Sequence, residues 1–353
     1  MIKALTPPSS IQSPAAKPNR RRPPRWFIPT IAWVISIACL IWVFRGVDYA
    51  ELMADMRTLK WRWVTVAVLL ELAVYVCQAW RWNILLSPVE RLPFWPTVQA
   101  IYIGVFASGV LPLRTGEIIR CYLLAFWNEL PVSLAFTSGA IERVIDGLWL
   151  LGAFGFTARL LELPRYMIDG VEVMAAALAL LSLIFAYVLF HKQHAHTLLA
   201  RFSWGSKFAH VLDEIHRLGD WRTLGSAVAV SGIYLILQIA AVWALILAYD
   251  LDATMWSGLA VLSILRVGTL IPNAPGNVGS FQFFTVLALG LLGIDKTTSA
   301  GFSVVAYAAL TFPPLIAGAL VLMLTGLNIG EVRHHAHSAR RDYRAGKHTP
   351  MPQ

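Results

Sequence analysis

The sequence predicts an all-α polytopic membrane protein made of two inverted repeats, each with full transmembrane helices and a re-entrant hairpin of broken helices. Three observations carry this. Of the 353 residues, 57% are hydrophobic and only 14% charged, against about 25% charged in an ordinary soluble domain, and the apolar residues gather in runs near the ~20 residues that cross ~30 Å of hydrocarbon. Two of these runs are broken midway, at LPLRTGE (111–117) and IPNAPGNVGSFQ (271–282), and irregular backbone at membrane depth is tolerated only beside protein or a wet cavity. Finally, the order of elements leading to the first break recurs around the second.

Residues 1–25 are rich in Pro, Ser and Arg and read as a disordered tail. The run 26–44 is too long for a signal-peptide core and has no A-x-A site, so it is expected as an uncleaved first helix. Asp48 and Glu51 have capping-box spacing, and Tyr49, Leu52, Met53, Met56 and Leu59 then share one face, which predicts a short helix lying on the membrane surface. A second span, 63–81, carries Glu71, Tyr75 and Gln78 on one face. The first broken pair occupies 97–127, followed by long helices at 132–157 and 171–190. In 191–223, Phe208, Val211, Leu212, Ile215 and Leu218 recur at helical spacing among basic residues and predict a second surface helix. A span at 224–249, the second broken pair at 255–293 and a last helix at 298–327 complete the membrane domain, 26–327, and residues 328–353 form a basic, His-rich tail.

Lys and Arg set the orientation. The N-terminal tail holds six, 191–223 five and the stretch after 328 five, whereas 158–170, 250–254 and 294–297 hold two, none and one. Both termini are therefore expected in the cytoplasm, with the inner membrane as location; only 45–62, with four basic residues, runs against the count. On this orientation 26–157 and 171–327 run through the same order from opposite sides. The breaks correspond too, Gly109 to Pro112 and then Gly116 in the first half, Gly268 to Pro272 and then Gly276 and Gly279 in the second. Inverted halves with discontinuous helices in matching positions are the sequence pointer to a transporter with a site near the midplane.

The balance of +9 is that of cytoplasmic loops, and no nucleic-acid partner is expected. Cys39, Cys77 and Cys121 lie far apart in apolar segments and read as packed thiols. His191, His194 and His196 read as interfacial, and His334, His335 and His337 as a solvated tail. No metal or cofactor motif is present, and no nucleophile set suggests an intramembrane enzyme.

The candidate site starts from charges that need a reason, since one at mid-membrane costs ~3 kcal/mol on the lenient insertion scale. Arg114, Glu117, Arg120, Glu142, Arg143 and Asp146 sit in apolar surroundings. Glu117 and Arg120 are i, i+3 neighbours, as are Arg143 and Asp146, and Glu142 lies four before Asp146. Three basic and three acidic residues balance, so they either lock helices together or line a polar passage. Arg266, beside the second break, has no local acid; its candidate partners are Glu71 and an anionic headgroup. The second break, with Asn273, Gly276, Gly279 and Gln282, opens a helix whose N–H groups suit a phosphate.

RWNILLSP (81–88), LPLRTGEIIRCYLL (111–124), IERVIDGLWLL (141–151) and PNAPGNVGSFQFFTVLALGLLGI (272–294) resemble the motifs of the flippase-like membrane family that includes the transmembrane region of lysylphosphatidylglycerol synthase. The resemblance implies two re-entrant hairpins that move a lipid headgroup between leaflets. It assigns Arg114, Gly116, Glu117 and Arg120 to the first hairpin, Glu142, Arg143 and Asp146 to the next helix, and Pro275, Gly276 and Gly279 to the second hairpin. Two departures stand out. Gln282 replaces a Glu frequent in relatives, and no segment reads as the synthase's soluble aminoacyl-transferase domain, so aminoacylation is not expected. The expectation is thus a non-enzymatic flippase for a phospholipid or glycolipid, without cofactor, or alternatively an accessory membrane protein for a lipid- or glycan-synthesis enzyme.

Overall fold

The computed structural model describes residues 27–111, 115–161, 165–190, 218–270 and 274–326. Every regular element among them is helical: α1 (Phe27–Phe44), α2 (Tyr49–Thr58), α3 (Trp61–Leu86), α4 (Phe94–Val110), α5 (Gly116–Trp127), α6 (Val132–Leu160), α7 (Arg165–Phe190), α8 (Trp221–Ala248), α9 (Met255–Gly268), a 3-10 turn (Pro275–Asn277), α10 (Ser280–Leu291) and α11 (Lys296–Leu324). Both tails, most of the expected surface helix in 191–223, and the tips of both breaks (112–114 and 271–273) lie outside the described residues.

Among the described helices, α3, α8 and α11 are individually long and apolar enough to cross a membrane, and α1 with α2 forms a further apolar pair bent by 86°. With these spans the protein is a multi-pass membrane protein. α6 and α7 have the length but carry charged residues, whereas α4 and α9, with 17 and 14 residues, reach only about 25 and 21 Å at 1.5 Å per residue. The bend into α2 has a local cause: Asp48 Oδ1 accepts from the backbone N–H groups of Ala50 (2.8 Å) and Glu51 (3.3 Å), starting a new helix at the predicted cap. Asp295 Oδ1 starts α11 the same way, accepting from Thr298 N at 3.0 Å.

Two boundaries differ from expectation in a way that matters. The second span runs to Leu86, five residues past the expected end, because nothing before Ser87 and Pro88 breaks a helix. Arg81 is thereby a buried mid-helix residue. α11 runs through Pro313 and Pro314; each removes a backbone N–H, which frees the carbonyls of Ala309 and Leu310 from the helical ladder.

α3 and α8 form the most extensive helix pair and run antiparallel, from Lys60 N on Ala248 O (3.0 Å) at one end to Arg81 Nη1 on Ser231 Oγ (2.9 Å) toward the other. Around them α4 packs on α5 and α11, α9 on α10 and α6, α5 on α6, and α1 on α10. Loops gather at two ends. At one, Lys60 pairs with Asp250 and Thr298 Oγ1 donates to Asp55 Oδ2 at 3.2 Å; at the other, Leu86, Val89, Leu92, Leu130 and Leu218 share an apolar cluster. Glycine sets the closest approaches: a Cβ on Gly116 would lie 1.9 Å from Gly104 O, and one on Gly318 would lie 2.2 Å from Tyr102 O.

Candidate functional site

Between the two broken pairs lies a cavity of about 690 Å³. α3 supplies Glu71, Tyr75 and Gln78 to its wall, the face read from their spacing, and α8 supplies Tyr234 and Gln238 opposite. The first break contributes Gly116, Glu117 and Arg120, the second Arg266, Pro275, Gly276 and Asn277, and α6 contributes Arg143. Most of the rest is apolar, with Trp33 of α1, Leu270, Phe281, and Leu310 and Leu315 of α11, while Ser108, Thr269 and Thr311 add hydroxyls. Trp33 and Leu270 are half exposed, at 50% and 53%, so the apolar side of the cavity is open rather than sealed.

The charged wall is a ladder built on Arg81 of α3, a residue absent from the sequence-predicted site. Arg81 donates through Nε and Nη2 to Glu142 Oε1 at 3.1 and 3.0 Å, and its Nη1 pairs with Asp146. Its guanidinium also stacks over the Tyr234 ring, 5.1 Å from the centroid. Glu142 spends its second oxygen on Arg120 Nη2 at 2.9 Å, and the same nitrogen meets Glu117 Oε2 at 2.7 Å. Arg120 lies over the Trp82 ring at 4.8 Å, and Trp82 Nε1 donates to Ser138 Oγ at 2.8 Å. Gln78, its amide oxygen turned to the guanidinium groups, accepts from Arg120 Nη1 (2.8 Å) and Arg143 Nη2 (3.3 Å). Two carboxylates and two arginines, Glu142, Asp146, Arg81 and Arg120, are thus ion-paired with one another, the condition under which charge is tolerated out of water.

The ladder loosens toward the cavity. Arg143 approaches Asp146, Glu117 and Glu142 at 3.4, 3.9 and 4.0 Å, longer than the 2.7–2.9 Å of a strong charge-assisted bond, and its side chain is 48% exposed. Glu117 is 46% exposed. Of the two residues that face the void, Glu117 is still held by Arg120 at 2.7 Å, so Arg143 is the one held least firmly. Across the cavity Arg266, in the last turn of α9, interacts electrostatically with Glu71, Tyr75, Tyr234 and Asp146. Neither Arg266 nor Glu71 has an ion-pair partner within 4 Å among the described residues. Two buried donors at the wall, Arg120 Nε and Gln238 Nε2, have no hydrogen-bond partner among the described residues.

Of the residues predicted from sequence, Gly116, Glu117, Arg120, Arg143, Arg266 and Gly276 line the cavity. Glu142 and Asp146 sit one layer behind, holding arginines. Arg114 and Asn273 lie outside the described residues. Gly279 and Gln282 do not line the cavity: Gly279 N donates to Gln282 Oε1 at 2.7 Å, so Gln282 caps α10 from its third position. A neutral amide oxygen serves that role as well as a carboxylate. Gly279 needs its residue type twice over, with φ +86° and a Cβ position 2.2 Å from Ser36 O. The residue missed was Arg81, and its signal was present, three residues after Gln78 on the face of Glu71 and Tyr75. Among the described residues no cluster of His, Cys, Asp and Glu is arranged to hold a metal ion.

Comparison with known proteins adds two findings. The family model described as the lysylphosphatidylglycerol synthase TM region matches residues 30–318. A UPF0104 membrane protein of Methanocaldococcus jannaschii is 23% identical over 120 residues, covering 33% of this chain and 36% of the relative; the chain therefore spans about a third of the length of that curated relative.

Proposed function

We infer that this chain, which belongs to the lysylphosphatidylglycerol synthase TM region family, is a lipid flippase: it moves the polar headgroup of a phospholipid or glycolipid between leaflets of the inner membrane while the acyl tails stay in the bilayer. One observation carries the reading. A single cavity joins a charged wall of Glu117, Arg120, Arg143 and Arg266 to an apolar wall that continues onto half-exposed Trp33 and Leu270. Its volume, about 690 Å³, falls in the range of small-molecule sites and suits a headgroup rather than a whole lipid. A soluble metabolite would have no use for the apolar side.

The pairing of elements supports an inverted repeat. If α3 corresponds to α8, α4 to α9, α5 to α10 and α6 to α11, the contact of α4 with α11 maps onto that of α9 with α6, α4–α5 maps onto α9–α10, and the central α3–α8 pair maps onto itself. Both broken pairs then act as re-entrant hairpins entering from opposite sides, with Gly116 and Gly276, next to the two breaks, lining the cavity. The orientation follows the Lys and Arg counts of the other loops, against which only 45–62, with four basic residues, runs. On that orientation both termini are cytoplasmic. The reading includes no chemical step, and hence no enzyme activity.

The test is leaflet exchange of headgroup-labelled anionic and glycosylated lipids by purified protein in proteoliposomes. Wild type should exchange at least one class, and Glu117→Gln and Arg143→Gln, both half exposed on the cavity wall, should lower the rate at least tenfold while remaining folded. Unchanged rates in both variants would move the site elsewhere. A folded protein that exchanges no lipid would favour the accessory role beside a lipid- or glycan-synthesis enzyme.

A further inference from the structure

Four carboxylates stand at or beside the cavity, and three are clamped. Glu142 is held by Arg81 and Arg120, Asp146 by Arg81, and Glu117 by Arg120 at 2.7 Å. Glu71 differs. It lines the cavity, is 8% exposed and has no ion pair within 4 Å among the described residues. Its electrostatic partner is Arg266 across the void, which is equally without a close carboxylate. The groups around Glu71 are few: Tyr75 on its own helix, Tyr102 of α4, whose hydroxyl donates to Leu72 O at 2.9 Å, Tyr234 of α8, and Arg266 of α9. Of the charges of α6, Glu142 and Asp146 are held by Arg81, Asp146 also acts on Arg266, and Arg143 faces the cavity beside Gln78 and Glu117. The titratable residues of α11 are engaged elsewhere, Tyr307 on Gly276 O (3.0 Å) and Lys296 on the carbonyls of Trp42 (2.9 Å) and Arg45 (2.8 Å).

From this geometry we propose that Glu71 and an anionic phosphate headgroup compete for Arg266, so that binding of the headgroup is coupled to uptake of one proton by Glu71. The inference rests on the reading that the cavity receives an anionic headgroup. In the empty cavity Arg266 and Glu71 offset each other through the void. An entering phosphodiester takes over Arg266 and would leave Glu71 as an uncompensated carboxylate in a poorly solvated place, beside a second negative charge; both circumstances favour its neutral form. One proton from water joins one Glu71 oxygen, one lipid anion joins Arg266, and the cavity's net charge is the same before and after. No bond other than that O–H is made. Reciprocity then requires that acidity favour the bound state, which gives a proton gradient a way to set the direction of movement. Coupling through Glu117, Glu142 or Asp146 would first have to break an arginine bond; coupling through Glu71 breaks none.

The experiment is calorimetric titration of the purified full chain in uncharged detergent with dioleoylphosphatidylglycerol, whose phosphodiester stays singly charged throughout, in buffers of different ionisation enthalpy and at a series of pH values. Wild type should take up about one proton per lipid on the alkaline side of the transition, its affinity falling about tenfold per pH unit there. Glu71→Gln should bind with less than twofold dependence on pH, and Arg266→Gln should lose binding. Proton uptake by wild type alone decides the matter if a variant fails to fold: no uptake, or no binding, overturns the proposal, as does an unchanged pH slope in Glu71→Gln. Proton-linked binding in a protein that exchanges no lipid in proteoliposomes would leave this site standing and remove the flippase reading.

Discussion

Arg81 and Arg143 are both arginines of the same ladder, and the structure gives them opposite jobs. Arg81 is fully buried, forked between Glu142 and Asp146 and seated on Tyr234. Truncating it leaves two buried carboxylates short of a partner, a change that costs about 3–5 kcal/mol. Arg81→Gln should therefore lose most of its folded yield and lower the melting temperature in detergent by many degrees. Arg143, half exposed and held at 3.3–4.0 Å, is worth less than ~1 kcal/mol to the fold, so Arg143→Gln should melt close to wild type while losing lipid exchange. Equal melting losses in the two variants would contradict this division. At this scale the sequence was legible wherever charges shared a face by i, i+3 or i, i+4 spacing, as Glu117 with Arg120. For Arg81 the shared face with Gln78 was legible but its partners were not, since they lie more than sixty residues away on α6; for Gln282 a helix cap and a ligand donor look alike.

The breaks in the helices were legible from Gly and Pro, but which glycine does what depends on the neighbour. Gly116 is a contact glycine: its Cβ would meet Gly104 O at 1.9 Å and Ser108 Oγ at 2.3 Å, backbone and a short side chain with nowhere to move. Gly116→Ala must pry α4 from α5 at the mouth of the cavity and should abolish folded protein in a size-exclusion assay. Gly152 in α6 has nothing within 4 Å of its Cβ position, and Gly152→Ala should be neutral or stabilise by up to about 1 kcal/mol through helix propensity. The cap at Gln282 gives a second contrast within one element. Gln282→Glu keeps an oxygen for Gly279 N, whereas Gln282→Leu leaves that N–H unpaired where α10 begins, a loss of about 1 kcal/mol. The melting temperature should fall only in the Leu variant. An equal fall in both would mean that the amide nitrogen, not its oxygen, is what α10 requires.

For the molecule as a whole, apolar run length made the spans legible, and the recurrence of breaks suggested how the halves are related; what no run length can give is which side each loop occupies. The inverted arrangement makes a definite demand. The loop between α3 and α4 and the loop between α8 and α9 occupy corresponding positions, so inversion sends them to opposite faces of the membrane, whereas a parallel repeat would send them to the same face. The structure separates them, with Val89 in the cluster at one end and Asp250 joined to Lys60 at the other. Glu90→Cys and Asp252→Cys place a thiol in each loop. Background is low, because Cys77 and Cys121 are buried and Cys39 is partly so. In intact cells a membrane-impermeant maleimide should label Asp252→Cys and spare Glu90→Cys, and after permeabilisation both should react. Labelling of both variants in intact cells would end the inverted-repeat reading, and with it the argument that two hairpins meet from opposite leaflets over one headgroup. Labelling of Glu90→Cys alone would keep the inversion and reverse the orientation, placing both termini outside.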